Sequence, residues 1–162
     1  MTDKELYVKF QNLFKYQEGK LIRKVDVKRT KKGDEAGTIN GCGYKQVRVE
    51  GKIYLVHRII WLLTYKHLPI CIDHINHKRS DNRIENLRAA TKSQNAHNRV
   101  INKNSTTGVK GVSFIKGRNK WRAQIRLNNI PINLGEFDDL NEAKKAVTDH
   151  RQKAHGEYAH NG

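Results

Sequence analysis

The 162-residue chain is long enough for one domain or two very small ones, and with 36% hydrophobic and 30% charged residues any core must be compact. Its 32 Lys and Arg outnumber 16 Asp and Glu for a formal net charge of +16, spread over both halves rather than carried by one tail; this field disfavours a cationic partner and points to a polyanion, nucleic acid first. Two cysteines, Cys42 and Cys71, exclude a four-cysteine zinc site and imply no disulfide framework, and the absence of a signal-peptide pattern or of the roughly 20 apolar residues of a membrane span leads us to expect a cytoplasmic protein without a membrane partner.

Residues 1–54 read as a β extension of short strands. Leu21-Ile22 and Val25 to Val27 flank basic residues, and Gly33 to Gly43 is rich in turn formers. Tyr44 to Gly51 alternates, with Val47 and Val49 on one face, and Lys52 to Val56 resumes the pattern, which predicts a hairpin. Over 56–66 the apolar residues Val56, Ile59, Ile60 and Leu63 recur at helical spacing, Trp61 widens that face, and Pro69 bars a longer helix.

Residues 70–100 predict a compact unit: a strand Ile70 to Asp73, a polar loop Ile75 to Arg83, a return strand Asn86 to Ala90, and a polar helix. The helix is announced by the Thr91-x-x-Gln94 capping box and carries Asn95 and Asn98. Residues 102–108 have linker composition, so we place a domain boundary there, between 1–101 and 109–162. Three short strands are expected over 109–137, the third at Ile132 to Leu134. A final helix, capped by Asp139-x-x-Glu142 and ended by Gly156, puts Leu140, Ala143, Val147, His150 and Ala154 on one stripe. Lys120 to Leu127 alternates: Trp121, Ala123, Ile125 and Leu127 form an apolar back, and Lys120, Arg122, Gln124 and Arg126 a basic, hydrogen-bonding front. Such a front suits a DNA groove, where Arg pairs with guanine and Gln with adenine.

The chemistry centres on Asp73-His74, followed by Asn82, Asn86 and Asn95. Phosphodiester hydrolysis needs a base near neutral pH, a task for histidine, and a hard cation to neutralise the phosphate and stabilise the leaving oxygen. Magnesium takes few protein ligands, often one or two oxygens; the Asp73 carboxylate and the Asn95 carbonyl are candidates. Asn86 lies where its side chain can hold the loop after His74. His57, beside the apolar helix face, suits either a site-facing role or simple packing; His67 and His97 read as surface residues.

Together, Tyr44-Lys-Gln-Val47, Val56-His-Arg-Ile-Ile-Trp61, Ile72-Asp-His-Ile75, Ser80-Asp-Asn-Arg-Ile-Glu-Asn-Leu-Arg88, Gln94-Asn95 and Asn98-Arg99 resemble the HNH homing endonucleases common in phages. The resemblance implies a ββα-metal fold within an α+β chain, His74 as the base that activates water, Asn86 as the central structural asparagine, and Asp73 and Asn95 on a divalent ion, Mg2+ or Mn2+. It implies products with 5′-phosphate and 3′-hydroxyl ends, and it adds Arg58 and Arg99 as DNA contacts. His77 stands where relatives often carry Gly.

The stretch Gly108-Val-Lys-Gly-Val-Ser113, Trp121 to Arg126, Leu134-Gly-Glu-Phe137 and His155-Gly156 resembles the DNA-binding domain of plant APETALA and ethylene-response factors. That resemblance implies a three-stranded antiparallel sheet backed by one helix. It gives Lys120, Gln124 and Arg126 as base or phosphate contacts, with Arg122, Lys110, Ser113 and Asn133 as further ones. The function expected is a metal-dependent, site-selective endonuclease acting on double-stranded DNA, of phage homing type. A DNA-binding regulator with an inactive nuclease unit and a restriction or defence nuclease stand as alternatives; the oligomeric state is left open, a monomer being compatible.

Overall fold

The computed structural model describes residues 1–97, 107–127 and 130–155. Asn98, Arg99, Gly156 and residues 102–106 of the 102–108 linker lie outside the described residues. The fold is mixed, with helices and small antiparallel sheets. The chain divides into two compact units, Met1–Ala90 and Thr91–Gly162. Among the described residues no helix is long and apolar enough to cross a membrane.

The first unit opens with a helix where strands were expected. α1 (Asp3–Leu13) starts at a capping box: Glu5 N–H donates to Thr2 Oγ1 at 3.3 Å and Thr2 N–H to Glu5 Oε2 at 2.7 Å. Phe10 is its buried anchor, with Leu6 and Leu13 packed beside it, so the spacing is helical although charges interrupt it. Next, β1 (Phe14–Gln17) and β2 (Lys20–Arg23) pair through Glu18 and Gly19. Both turn residues have positive φ, 47° and 81°, the two-residue turn whose twist suits a hairpin. Val25 to Val27 forms no strand, only an isolated bridge from Val27 to Thr30.

The expected central hairpin is present. β3 (Thr38–Ile39), β4 (Lys45–Val49) and β5 (Lys52–Leu55) form one antiparallel sheet, with Val47 and Val49 buried. α2 (Val56–Tyr65) follows at once and buries more than one stripe: Val56, His57, Ile59, Ile60, Trp61 and Leu62 are all inside, with Leu63 partly so. Burial on nearly every side makes α2 the axis of this unit. β6 (Cys71–His74) pairs antiparallel with β7 (Leu87–Ala90), setting Asp73 opposite Arg88 and His74 opposite Leu87.

The second unit begins with α3 (Lys92–His97), opened by the predicted box: Gln94 N–H donates to Thr91 Oγ1 at 3.2 Å and Thr91 N–H to Gln94 Oε1 at 2.8 Å. β8 (Val112–Ile115), β9 (Lys120–Leu127) and β10 (Ile130–Phe137) form a sheet in the order β10-β9-β8. The third strand is longer than the expected Ile132 to Leu134, and it bulges between Asn133 and Gly135. α4 (Leu140–His155) starts from Asp139, whose Oδ1 accepts from the backbone N–H groups of Asn141 and Glu142.

Val112, Ala123, Ile125, Ala143 and Val147 make the second core. The predicted stripe needs one correction here: His150 is exposed and Arg151 is buried in its stead. Four residues on from Val147 is position 151, and the Arg151 guanidinium reaches a polar partner by donating to the Lys110 carbonyl at 2.7 Å.

Candidate active site

The site grows from the end of β6. Asp73 and His74 are 6% and 4% exposed, which is unusual for two such polar side chains and requires partners for both. Asp73 Oδ2 accepts from Arg88 Nε at 2.9 Å, a consequence of the cross-strand register. His74 Nε2 lies 3.1 Å from Asn82 Oδ1. Its ring meets that of His57 edge to face at 5.0 Å between centroids and that of Tyr44 at 5.9 Å.

His57 therefore packs and faces the site at once, and its Nδ1 is buried with no hydrogen-bond partner among the described residues. Burial, then the nearby His74 and Arg58 charges, push its pKa down to about 3, so it stays neutral. Burial also lowers the pKa of His74, against the Asn82 contact and the Asp73 and Asp81 carboxylates that raise it; Arg79 adds to the lowering. At neutral pH His74 is thus the uncharged, proton-accepting form. The Arg79 guanidinium stacks 5.0 Å over Tyr44 and donates to the Cys42 carbonyl at 2.9 Å, tying the loop after β6 to the turn before β4.

Asn86 braces that loop. Its Oδ1 accepts from Asn76 N–H at 3.0 Å, and its Nδ2 donates to Asn76 Oδ1 at 3.0 Å and to the Asp81 carbonyl at 2.8 Å. The Asn86 carbonyl also accepts from Ile75 N–H. Asp81 is clamped in turn by both Arg83 Nε and Nη2, which hold its carboxyl well below the usual carboxylate range. The N-terminal hairpin supports the far side. Tyr16 Oη accepts from Ile84 N–H at 3.1 Å, and Gly19 sits so close to Arg83 that an added Cβ would meet its Cγ at 2.8 Å. His77 adopts a left-handed φ of 62°, a conformation in which Gly carries no steric cost.

Asp73, His74 and Asn86 thus come together in the first unit, while Asn95 lies on α3 in the second. Arg58 lines a hollow of about 350 Å³ walled by Leu6, Phe10, Tyr54 and Ile59. Arg99 is outside the described residues. His67 is exposed as expected. Sequence reasoning passed over Tyr44, Arg79 and Arg88. Of these only Arg88 carried a signal, as the base facing Asp73 once the two strands are aligned.

In the second unit the front of β9 is more self-satisfied than its alternation suggests. Arg122 and Arg118 both donate to the Glu136 carboxylate, at 3.4 and 3.0 Å, and Lys120 Nζ donates to Asp138 at 3.2 Å. Gln124 and Arg126 are exposed, as are Ser113 and Asn133, whose Oδ1 accepts from Gly135 N–H. Burial and then Arg151 push Lys110 down to about 8.

The buried histidine–aspartate pair at a strand end, in a loop pinned by one asparagine, lies inside the segment that a known family matches. Residues 54–97, from the end of the central hairpin through α2 and the β6–β7 hairpin to α3, match the family described as HNH endonuclease. Protein 3.8 of Escherichia phage T7 is 32% identical over 88 residues, covering 54% of this chain and 72% of that protein. An uncharacterised HNH endonuclease of Acanthamoeba polyphaga mimivirus is 31% identical over 112 residues, 67% of this chain and 57% of its relative. No solved structure matches the chain. The matched segment contains Asp73, His74, Asn86 and Asn95, and with the phage relative covered over 72% of its length the chain belongs to the HNH endonuclease family.

Proposed function

We propose that this protein is a divalent-metal-dependent endonuclease that hydrolyses double-stranded DNA at preferred sites, in the manner of a phage homing enzyme, with His74 as general base. The observation that carries the reading is the burial of a neutral His74 beside Asp73 in a loop braced by Asn86. A base for water must be unprotonated at working pH and must not swing, and this arrangement meets both needs.

The donor chemistry fits a hard cation. Among the described residues no group of three or more His, Cys, Asp or Glu is placed to hold a metal ion, so an ion here would rest on few protein donors. One carboxylate, Asp73, and one amide oxygen, Asn95, suit an ion that keeps most of its waters, as Mg2+ does; Mn2+ suits the same donors. When bound, the ion supplies charge neutralisation at the phosphate and stabilisation of the leaving oxygen. The residues of the chain do the rest. His74 takes the proton of the attacking water. Asn86 keeps the loop closed around it. Arg88 orients the Asp73 carboxylate. A 5′-phosphate and a 3′-hydroxyl are the expected ends.

The C-terminal part, 109–162, we assign to DNA binding after the plant-factor pattern, joined to the nuclease part by the 102–108 linker. Gln124 and Arg126 present polar groups outward, with Lys120, Arg122, Lys110, Ser113 and Asn133 around them. Two linked weak binders gain from effective concentration, and each phosphate neutralised contributes about −0.9 to the salt slope. The net charge of +16 supports a polyanionic substrate.

The test is supercoiled-plasmid cleavage with Mg2+, with Mn2+ and with chelator, on the wild type and His74→Ala. Metal-dependent nicking that His74→Ala abolishes while duplex binding persists is the expected result. Duplex binding with no cleavage under either metal would instead favour a regulator with an inactive nuclease unit. Sequencing the product ends from a DNA library then separates a homing-type site from a restriction pattern.

A further inference from the structure

We infer that Asn82 is the positioning residue of the site: its side-chain oxygen accepts the proton on His74 Nε2, which holds the ring in the tautomer that leaves Nδ1 as the nitrogen that takes the proton of water. The catalytic half of this inference rests on the nuclease reading above; the tautomer does not.

Three observations carry it. Asn82 is 1% exposed, more deeply buried than any other polar side chain among the described residues, and its Oδ1 lies 3.1 Å from His74 Nε2. A neutral imidazole donates from one nitrogen and accepts at the other, so occupation of Nε2 by an acceptor decides both. Second, the backbone that carries Asn82 is held in place: the residues on either side are joined by the Arg83–Asp81 clamp, and Asn86 holds the Asp81 carbonyl, which keeps the amide against the ring. Third, the ring it faces is walled by His57 at 5.0 Å and Tyr44 at 5.9 Å, which limits rotation to bring Nδ1 to the asparagine.

The opposite amide orientation makes a contrary statement. With Asn82 Nδ2 towards the ring, Nε2 would accept, Nδ1 would carry the proton, and the lone pair needed for water would point into the protein. In the observed orientation Oδ1 faces the ring, and Asn82 Nδ2 is buried with no hydrogen-bond partner among the described residues, a cost of one unsatisfied donor. Such a cost is commonly tolerated where function needs the geometry.

The experiment uses the full chain, labelled with 15N, at about pH 9, where a histidine of ordinary pKa is neutral. Long-range proton–nitrogen spectra, assigned through His74→Ala, report which ring nitrogen of His74 bears hydrogen. We expect Nε2–H alone in the wild type. Asn82→Leu, with the same branched outline and no acceptor, is expected to lower kcat about 10- to 100-fold, at or below the lower end of the 10²–10⁴ range of a general base. KM for duplex DNA should stay unchanged, and His74 should show mixed tautomers. Asn82→Asp keeps an acceptor and is expected to keep the Nε2–H signal and kcat within about threefold, less than any loss a misplaced base would cause.

Hydrogen on Nδ1 in the wild type, or a folded Asn82→Leu with full kcat, overturns the inference. Should Asn82→Leu fail to fold, the wild-type and Asn82→Asp spectra decide it: Nε2–H in both supports, Nδ1–H in either overturns. No cleavage by the wild type would sink the nuclease reading, and cleavage surviving in His74→Ala the assignment of the base; in either case the spectra would still report the tautomer.

Discussion

Replacing Asn86 by Ala removes three side-chain hydrogen bonds at once, to Asn76 N–H, Asn76 Oδ1 and the Asp81 carbonyl. Each such bond contributes about 0.5–1.5 kcal/mol net, and the groups left behind are only part-buried, so about 2–3 kcal/mol of stability should go. The Asn76 amide cannot simply turn to compensate. Its Oδ1 also accepts from Lys78 N–H at 2.9 Å, and its Nδ2 donates to Asp81 at 2.7 Å. For the same reason Asn86→Asp should not rescue: it keeps the acceptor for Asn76 N–H but sets a carboxylate oxygen against Asn76 Oδ1 and the Asp81 carbonyl. Urea unfolding reports the loss through Trp61, buried in the first unit, in a Trp121→Phe background. With an m-value of about 1–2 kcal/mol/M, the midpoint should fall by about 1–3 M in both variants. A midpoint within about 0.3 M of wild type for Asn86→Ala, equivalent to well under 1 kcal/mol, would refute the idea that this residue holds the loop.

Other outcomes follow from the same geometry. Tyr16→Phe leaves Ile84 N–H without its acceptor and should cost about 1 kcal/mol, read by urea unfolding; no change would mean that the N-terminal hairpin does not brace the site. His57 ties stability to acid. Its folded pKa, about 3, lies below the ordinary 6.5, so the unfolded chain binds the proton first and stability is lost as pH falls from about 6.5 towards 3. His57→Gln should flatten that decline in thermal melts at matched ionic strength, and an unchanged slope would count against the burial argument. Glu136→Gln releases Arg118 and Arg122 from their carboxylate. If the β9 front meets DNA, duplex affinity should rise several-fold at low salt and the salt slope should steepen by about 1, as seen by fluorescence anisotropy; weaker binding would argue that the carboxylate arranges these arginines for DNA.

Local chemistry was legible before any fold was known. The spacing of Val56, Ile59 and Ile60, the alternation of Lys120 to Leu127, the turn at Glu50 and Gly51, and the Thr91–Gln94 box all depend on residues a few positions apart, so adjacent letters suffice to read them. The Thr2–Glu5 box and the spacing of Leu6, Phe10 and Leu13 were readable on the same terms, yet charges between them masked the helix. Asp73, His74 and Asn86 stood out by type and order.

Their partners were decided by the tertiary structure. Strand register sets Arg88 against Asp73, and the path of the loop after β6 delivers Asn82 to His74. The packing of α2 brings His57 against the same ring, and the pairing of β9 with β10 lets Glu136 hold two arginines of the expected DNA face. Side-chain types announce which chemistry is on offer. The protonation state and direction of each group are set by burial and by contacts between residues distant in the chain, which no short-range pattern encodes.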